Sequence, residues 1–401
     1  MFGYTLSNIG EVHSSLWLAS LADLEVIKSQ TIFSCELFKM QSLTLWSVAI
    51  RFPKAVRHKP LHAVAYRMAT TATTASLATT VSIASTTNTV QDDQTISLPD
   101  GRDVGFAEYG SPTGYPLFYF HGFPSSRLEA RGLDDIGRRH NIHVVAIDRP
   151  GFGLSTFQPN RRITDFPADV QFLAQQLGFR RYAVLGGSGG GPYALACANA
   201  IPPETLSGVG MMASAAPWEA GTQDVLLSAR LTSWAATHCP SVLIGLTDTL
   251  ISLLKKGLNT NAGKKIIDRV VEKAAAQANK EIPKGQDEAT IEERRNRTLR
   301  IGFEGFAQGS RGFVHEAYIL THFWGFRLED VRFNKVLIWH GTKDKNSPIR
   351  MVRYMHERLP HSHLTEHEGD NHFAISRHLE EIITELIPEE EKKQYCRNNK
   401  A

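Results

Sequence analysis

A serine flanked by glycines is the strongest chemical signal in the sequence. Residues 186–190 read Gly-Gly-Ser-Gly-Gly, with Ser188 at the centre, between the apolar run Tyr182–Leu185 and a helix-like stretch at 191–200. A serine at such a sharp turn between strand and helix needs neighbours without side chains, because the two elements approach closely there. The turn also places the serine at the beginning of a helix, where free N–H groups stabilise negative charge. The pattern predicts a nucleophile. A phosphate-binding loop is disfavoured because the sequence lacks the Gly-Lys-Ser/Thr of such loops.

A nucleophilic serine requires a base, and the base requires an acid that orients it. Asp344 follows the apolar run at 335–339 and is therefore expected in the turn after a strand. His372 lies in the segment 369–373, Gly-Asp-Asn-His-Phe, before a last helix-like stretch. Taken alone, such an aspartate is typical of a helix cap and such a histidine of a solvated loop. In this order after the serine, we predict Asp344 as the acid and His372 as the base.

The loop after the apolar run Pro116–Phe120 is expected to supply part of an oxyanion hole. It reads His-Gly-Phe-Pro at 121–124, and Phe123 is the natural N–H donor because Pro124 has no N–H. The second predicted donor is Gly189, the residue after the nucleophile. The alternative for this tetrapeptide is an ordinary turn.

Short apolar runs that alternate with helix-like segments predict an α/β fold with a mostly parallel sheet covered on both faces. A Pro-Asp-Gly turn at 99–101 predicts a hairpin between the first two runs. The strand-like runs are 95–98, 104–109, 116–120, 144–147, 182–185, 209–213 and 336–339. The helix-like segments between them are 127–139, 165–177 and 191–200.

The stretch 219–331 breaks this alternation, because helix-like segments follow one another there without a strand-like run between them. An all-helical block between two strands of one sheet predicts a cap over the site. The predicted division of the chain is an N-terminal extension (1–91), a first core part (92–218), a helical cap (219–331) and a second core part (332–401).

Taken together, the motifs resemble the α/β-hydrolase superfamily, specifically members with a serine nucleophile and a helical cap. They are HGFP at 121–124, DRPGFGLS at 148–155, GGSGG at 186–190, HGTKDKNSP at 340–348 and GDNHF at 369–373. The resemblance covers residues 94–388 and implies the α/β-hydrolase fold, with an eight-stranded, mostly parallel sheet and the cap inserted after the strand near 209–213. It also implies a structural role for Asp148 and Arg149. Epoxide hydrolases and haloalkane dehalogenases of this shape carry a carboxylate at the nucleophile position, so Ser188 favours an acyl-enzyme.

These residues predict a serine esterase-like hydrolase that cleaves a carboxylic ester, thioester or related acyl bond. Two alternatives stay open, an acyltransferase that uses the same acyl-enzyme and a non-catalytic ligand-binding protein on this fold. Apolar cap residues are compatible with a small-molecule acyl substrate of apolar character, and helix packing would explain the same residues. The aromatic ones are Trp218, Trp234, Phe303, Phe306, Phe323 and Trp324.

The sequence predicts no cofactor and no metal. His361, His363 and His367 are closely spaced, but solvated loop or edge-strand positions explain them better than a metal site does. The four cysteines lie far apart without a Cys-x-x-Cys pair, which favours a reducing compartment and a cytoplasmic location.

The charge pattern argues against nucleic acid or an anionic membrane as partner. The net charge of +3 arises from 44 Lys and Arg against 41 Asp and Glu. Residues 1–91 contain seven of these basic residues and four of the acidic ones, so residues 92–401 are neutral. No apolar stretch is long enough to predict a transmembrane helix. The longest candidate, 240–254, contains Asp248 and predicts a buried amphipathic helix instead. The sequence does not indicate an oligomeric state.

Residues 1–91 have a composition unlike that of a domain core. Positions 37–91 contain six basic residues and no acid, which is typical of a mitochondrial presequence, although four acids lie within the first 36 residues. Met40 and Met68 are alternative starts. The other interpretations are a disordered extension, or translated sequence that is not part of the mature protein.

Overall fold

A computed structural model describes residues 91–278 and 290–398. In these residues eight strands form one sheet in the order β1-β2-β4-β3-β5-β6-β7-β8. Strand β2 is antiparallel to β1 and β4, and all other neighbouring strands are parallel. The predicted fold class, an α/β fold with a mostly parallel eight-stranded sheet, is confirmed. The strands are β1 (Gln91–Ser97), β2 (Asp103–Gly110), β3 (Tyr115–Phe120), β4 (Ile142–Ile147), β5 (Tyr182–Gly187), β6 (Leu206–Met212), β7 (Val336–Gly341) and β8 (Ser362–His367).

The central strands were recognisable because they are buried on both faces. Every residue of β3, β4, β5 and β7 is buried, so these strands appear in the sequence as nearly continuous apolar runs. Alternate residues enter separate apolar clusters, with Phe118 on one face and Leu117 on the other. The helices outside the β6–β7 segment are α1 (Asp134–Arg139), α2 (Phe166–Gln176), α3 (Gly191–Ala200), α9 (Ile349–Arg358), α10 (Leu379–Leu386) and α11 (Glu389–Asn398).

The two ends of the sheet differ in how clearly the sequence shows them. The predicted hairpin joins β1 to β2, with Ser97 opposite Asp103 and with Gly101 at a φ of +83°, where glycine is favoured. Strand β8 was not among the predicted runs, since Leu364 is its only apolar residue. As the last strand of the sheet, it has a neighbour on one side only.

The described residues between β6 and β7, 213–278 and 290–335, fold mainly into consecutive helices, as the sequence predicts. They are α4 (Leu227–His238), α5 (Pro240–Leu258), α6 (Asn261–Ala278), α7 (Ile291–Glu304) and α8 (Arg311–Thr321). These helices share an apolar cluster of their own that includes Leu243, Ile251 and Phe303. The exact division of the chain at 218/219 and 331/332 stays a prediction.

Helix α5 is amphipathic, as predicted for its first part. It buries Leu243, Thr247 and Ile251, whereas Val242 and Leu253 are exposed on the other side. Among the described helices, none has both the length and the apolar character that crossing a membrane requires. Apart from Gln91, the predicted extension 1–91 lies outside the described residues.

Candidate active site

Ser188 lies at the turn that joins β5 to α3. Its backbone φ is +49°, a left-handed conformation that residues with a side chain rarely adopt. The neighbouring glycines are required by close backbone approach, because a Cβ on Gly190 would collide with the carbonyl oxygen of Phe120 and one on Gly186 with that of Gly190. The turn thus holds the serine side chain above the sheet at the beginning of a helix.

The three predicted side chains Ser188, His372 and Asp344 form one hydrogen-bonded chain. The His372 Nε2 lies 3.0 Å from the Ser188 Oγ, and its Nδ1 lies 2.7 Å from the Asp344 Oδ2. Asp344 follows β7 and His372 follows β8, so the carboxyl ends of neighbouring parallel strands bring these residues beside the turn after β5. The geometry is the one that a nucleophile, base and orienting acid require.

The Asp344 side chain is fully buried, and its two carboxylate oxygens have different partners. The Oδ1 accepts hydrogen bonds from the backbone N–H groups of Asn346 (2.8 Å) and Ser347 (2.9 Å). The Oδ2 faces the His372 ring and also lies 3.2 Å from the Nε2 of buried His340. Burial alone would raise the pKa of Asp344, but the two histidines outweigh it and hold that pKa well below its usual range. Asp344 is therefore ionised at neutral pH.

His372 experiences opposing influences on its protonation. Burial favours the neutral ring, but the charge and hydrogen bond of Asp344, together with the charge of Glu129, raise the pKa of His372 above its ordinary value. The side chain is about 11% exposed, which leaves room for a proton to be exchanged with a bound molecule.

Phe123 and Gly189, the predicted oxyanion donors, are adjacent in space. A Cβ on Gly189 would lie 3.3 Å from the Phe123 backbone nitrogen, so the two loops meet directly beside Ser188. The preceding N–H in the first loop, that of Gly122, donates to the Glu129 carboxylate at 3.0 Å and is therefore already engaged. The Phe123 ring stacks on Phe313 of α8, with ring centroids 5.1 Å apart, which fixes the loop against the inserted helices.

Arg149 binds the backbone of the loop at 121–124, which contains Phe123. Its guanidinium donates to the carbonyl oxygens of His121 and Gly122, while its Nε donates to the Glu316 Oε1 at 2.7 Å. Arg161 forms a second ion pair with Glu316, and all three charged side chains are buried. Burial would raise the pKa of Glu316, but the charges of the two arginines outweigh it and lower that pKa. These contacts support the structural role implied for Arg149.

Asp148, the second residue with an implied structural role, binds a neighbouring turn. Its carboxylate accepts hydrogen bonds from the backbone N–H of Arg127 (2.6 Å), from the Arg127 guanidinium (2.8 Å) and from the N–H of Leu154 (2.9 Å). The side chains of Arg127 and Asp148, which form this ion pair, are both fully buried. Asp148 thus connects the loop after β4 with the turn that begins at Arg127.

Replacing Glu316 by alanine should lower the free energy of unfolding by about 3–5 kcal/mol, because two buried arginines would lose their counter-charge. Urea unfolding followed by circular dichroism measures the change. The matched control is Glu329→Ala, since Glu329 is 44% exposed and its ion pairs should contribute less than about 1 kcal/mol. Equal losses in the two variants would contradict the prediction.

A cavity of about 330 Å³ opens beside Ser188 and His372. Core loops and inserted helices both line it, and most of its wall is apolar. Of the aromatic residues considered for substrate contact, Trp218 lines this cavity, whereas Phe303, Phe306 and Trp324 are buried in apolar clusters. Trp234 and Phe323 are 58% and 63% exposed.

The three closely spaced histidines do not form one group. His363 and His367 lie on the edge strand β8 and His361 directly precedes it. In residues 91–278 and 290–398, the group with ligand atoms suited to a metal is His367, Asp370 and His378, within 4.8 Å of one another. Asp370 already pairs with Arg377 and with His378, at 3.0 Å from its Nε2, so these contacts constitute an ion-pair network. The expected absence of a metal stays a prediction.

Sequence reasoning missed three charged or polar residues at this site. Glu129 lies on the 3₁₀ turn Arg127–Leu133, Glu316 on a helix of the inserted segment, and His340 at the end of β7. His340 lies within a motif that the sequence analysis used, but only the fold shows that its Nε2 faces Asp344. No local signal marks Glu316, because its partners Arg149 and Arg161 are distant in sequence. None marks Glu129, because its partners Tyr119 and the Gly122 N–H lie on another element.

The fold and the site define an α/β hydrolase. The family model described as alpha/beta hydrolase fold matches residues 115–378, about two thirds of the chain. The chain belongs to this family.

Curated relatives resemble only part of the chain. A proline iminopeptidase of Xylella fastidiosa is 33% identical over 119 residues, which are 27% of this chain and 36% of the relative. A non-heme chloroperoxidase of Streptomyces lividans is 31% identical over 126 residues, 31% of this chain and 45% of the relative. The chain therefore spans less than half the length of each of these relatives.

Solved structures resemble a larger share of the chain at lower identity. An esterase from Exiguobacterium antarcticum is 19% identical with a TM-score of 0.47 and covers 73% of this chain and 98% of its own. An esterase from Rhodococcus sp. ECU1013 is also 19% identical, with a TM-score of 0.47 and coverage of 74% and 98%.

Proposed function

We propose that the chain is a serine hydrolase that cleaves a carboxylic ester, thioester or related acyl bond through an acyl-enzyme. The observation that carries the proposal is the hydrogen-bonded chain from the Ser188 Oγ through the His372 ring to the buried Asp344 carboxylate. A non-catalytic binding protein would have no need to maintain this chain, or the left-handed backbone at Ser188.

In the proposed acylation step, the Ser188 Oγ attacks the substrate carbonyl while the His372 Nε2 accepts its proton. Asp344 keeps the ring proton on Nδ1, so that Nε2 is free to act as the base, and stabilises the imidazolium that forms. The N–H groups of Phe123 and Gly189 donate to the developing oxyanion. His372 then gives the proton to the leaving group as the bond between this group and the carbonyl carbon breaks, and the carbonyl carbon remains bonded to the Ser188 Oγ.

In deacylation, His372 accepts a proton from a water molecule that attacks the acyl carbon. The bond from this carbon to the Ser188 Oγ then breaks, His372 returns the proton to Oγ, and the acid is released. If an alcohol or amine took the place of this water, the same site would transfer the acyl group. Measuring free acid against transferred product from one acyl donor separates the two reactions. The mostly apolar wall of the cavity supports a small-molecule substrate with an apolar moiety.

The proposed function is tested with a fluorophosphonate probe, which reacts with activated serines. We expect the folded wild-type protein to be labelled at Ser188, as located by peptide mass spectrometry. Activity is then sought with a panel from short p-nitrophenyl esters to acyl-thioesters. A protein that is folded by circular dichroism yet neither reacts with the probe nor cleaves any member of the panel would overturn the proposal.

The rate should decline on the acid side of neutrality. His372 must be neutral to accept the serine proton, and its pKa is raised, so protonation inactivates the base as the pH falls through that raised value. We expect the acid limb of kcat/KM to have its midpoint above 6.5, the ordinary pKa of histidine. Initial rates with a neutral ester across the pH range measure it, with circular dichroism at each pH as the control for folding. A midpoint below 6.5 would contradict the prediction.

A further inference from the structure

The carboxylate of Glu129, which has no lysine or arginine partner in the part of the chain that the structure describes, lies beside the proposed nucleophile. Glu129 is half-buried and lines the same cavity as Ser188 and His372. Within residues 91–278 and 290–398 it forms no ion pair with a lysine or arginine, and its hydrogen bonds are to neutral donors. The nearby Arg149 is committed to Glu316 and to two backbone carbonyls. Among the described residues, no lysine or arginine therefore neutralises the Glu129 carboxylate at the cavity wall.

The carboxylate of Glu129 has hydrogen-bonding capacity to spare. The Tyr119 hydroxyl donates to Oε1 at 2.6 Å, and the single N–H of Gly122 is shared between Oε1 and Oε2 at 3.0 Å each. A carboxylate offers about four lone-pair positions, and two donors leave about half of them unused. The free capacity is greater on Oε2, which receives only the shared N–H.

The oxygen with the greater free capacity, Oε2, lies close to the reaction centre. A methyl-sized group placed on Gly122 would lie 3.3 Å from the Glu129 Oε2 and 3.4 Å from the Ser188 Cβ, so both groups border the same small volume. The charge of Glu129 also contributes to raising the pKa of His372. The neighbouring wall of the cavity is apolar and includes Leu133, Met212, Ala213, Ile375 and Leu379. An apolar surrounding strengthens the interaction of this carboxylate with a cation.

We propose that Glu129 forms an anionic subsite for a protonated amine located a few bonds from the scissile carbonyl of the substrate. The inference rests on the proposed function and narrows its substrate class to small amino esters and related acyl compounds. A substrate with an amine in this position should react faster than its neutral isostere, because its N–H groups pair with the free lone-pair positions of the Glu129 carboxylate. A substrate with a carboxylate in the same position should react more slowly, because two like charges would share a partly dry site.

Matched esters test the subsite on the acyl side of the bond. Methyl 3-aminopropanoate, methyl butanoate and monomethyl succinate are similar in shape and carry a positive, a neutral and a negative end group. We expect kcat/KM at pH 7, measured by acid release in a pH-stat, to fall in that order, with about 10- to 100-fold between the amine and the neutral ester. On the alcohol side, 2-(dimethylamino)ethyl acetate is compared with 3-methylbutyl acetate in the same way. A preference for the cation in either series supports the subsite and shows on which side of the ester bond it lies.

The variant Glu129→Gln removes the charge and keeps an oxygen that can accept a hydrogen bond from Tyr119 or Gly122. The preference of this variant for the amine ester over the neutral ester should disappear. Because the preference is a ratio of two kcat/KM values, a general loss of rate does not change it. Glu219→Gln is the matched control, since Glu219 is an exposed carboxylate next to Trp218 at the cavity, and its ratio should equal that of the wild type.

The outcomes separate the subsite from the proposed function. If Ser188→Ala abolishes hydrolysis of methyl butanoate, two results would overturn the subsite alone. One is equal kcat/KM for cationic and neutral esters in both series with the wild type. The other is a ratio of kcat/KM, cationic to neutral ester, that is the same in Glu129→Gln as in the wild type. If Glu129→Gln does not fold, the comparison of cationic and neutral esters with the wild-type protein decides whether the subsite exists. Hydrolysis that persists in Ser188→Ala, or no hydrolysis of any ester, would overturn the proposed function and the subsite with it.

Discussion

Replacing Ser188 by alanine should lower kcat for ester hydrolysis by roughly 10⁴-fold or more. The hydroxyl that contacts the His372 Nε2 at 3.0 Å would be lost, and with it the atom proposed to form the acyl-enzyme. KM should change far less, because the alanine removes no wall of the cavity. Hydrolysis of p-nitrophenyl esters measures the effect, and loss of fluorophosphonate labelling at position 188 accompanies it.

The cavity provides a matched control for this variant. Ser228 lies on the cavity wall in α4, and among the described residues the His372 ring is hydrogen-bonded to Asp344 and Ser188 rather than to Ser228, so Ser228→Ala should keep its rate within about tenfold of the wild type. His372→Ala should be affected about as strongly as Ser188→Ala, and the double variant hardly more, because the two residues act as one unit. Strictly multiplicative losses, or a Ser188→Ala protein that retains most of its rate, would contradict the proposed mechanism.

The sequence is most informative where burial or backbone geometry restricts residue types. Strands buried on both faces, such as β3 and β7, become unbroken apolar runs. The turn at Ser188 likewise allows only glycine at Gly186 and Gly190, so the motif is visible without any structure. Both features were predicted, and so were the chain order of Ser188, Asp344 and His372 and the strand before Asp344, whereas β8, the strand before His372, was not predicted. Their mutual contacts then arise from the parallel order of β5, β7 and β8.

The sequence is least informative where a residue is defined by partners that are distant along the chain. Strand β8 is polar because it is the edge strand, so it lacks the apolar run that marks the others. Glu316 pairs with Arg149 and Arg161 across more than 150 positions, and nothing local to α8 shows that its carboxylate is buried. Glu129 lies in a segment whose apolar pattern predicts only a helix, and its place beside Ser188 depends on the loop after β3.

Replacing Asp344 by asparagine should lower kcat by about 10⁴-fold while leaving the fold intact. The backbone N–H groups of Asn346 and Ser347 donate to Oδ1, so an asparagine would keep its carbonyl oxygen in that position. Its NH₂ group would then replace Oδ2 and face the His372 Nδ1, which lies 2.7 Å from Oδ2 in the native protein. A donor at this place can only pair with an unprotonated Nδ1, so the ring proton would move to Nε2 and face the serine.

Asp344 is therefore predicted to control which ring nitrogen of His372 carries the proton, and not only the charge of the ring. Because the variant also removes the charge that raises the pKa of His372, the acid limb of its residual kcat/KM profile should shift to lower pH. Kinetics with a neutral ester across the pH range measure both effects. Asp330→Asn, at an exposed position, is the control and should leave rate and profile unchanged. A variant that keeps its rate within tenfold would contradict the assignment, because the Asp344 carboxylate would then not orient the His372 ring. A profile that does not move would contradict it as well, because the carboxylate would then not raise the pKa of His372.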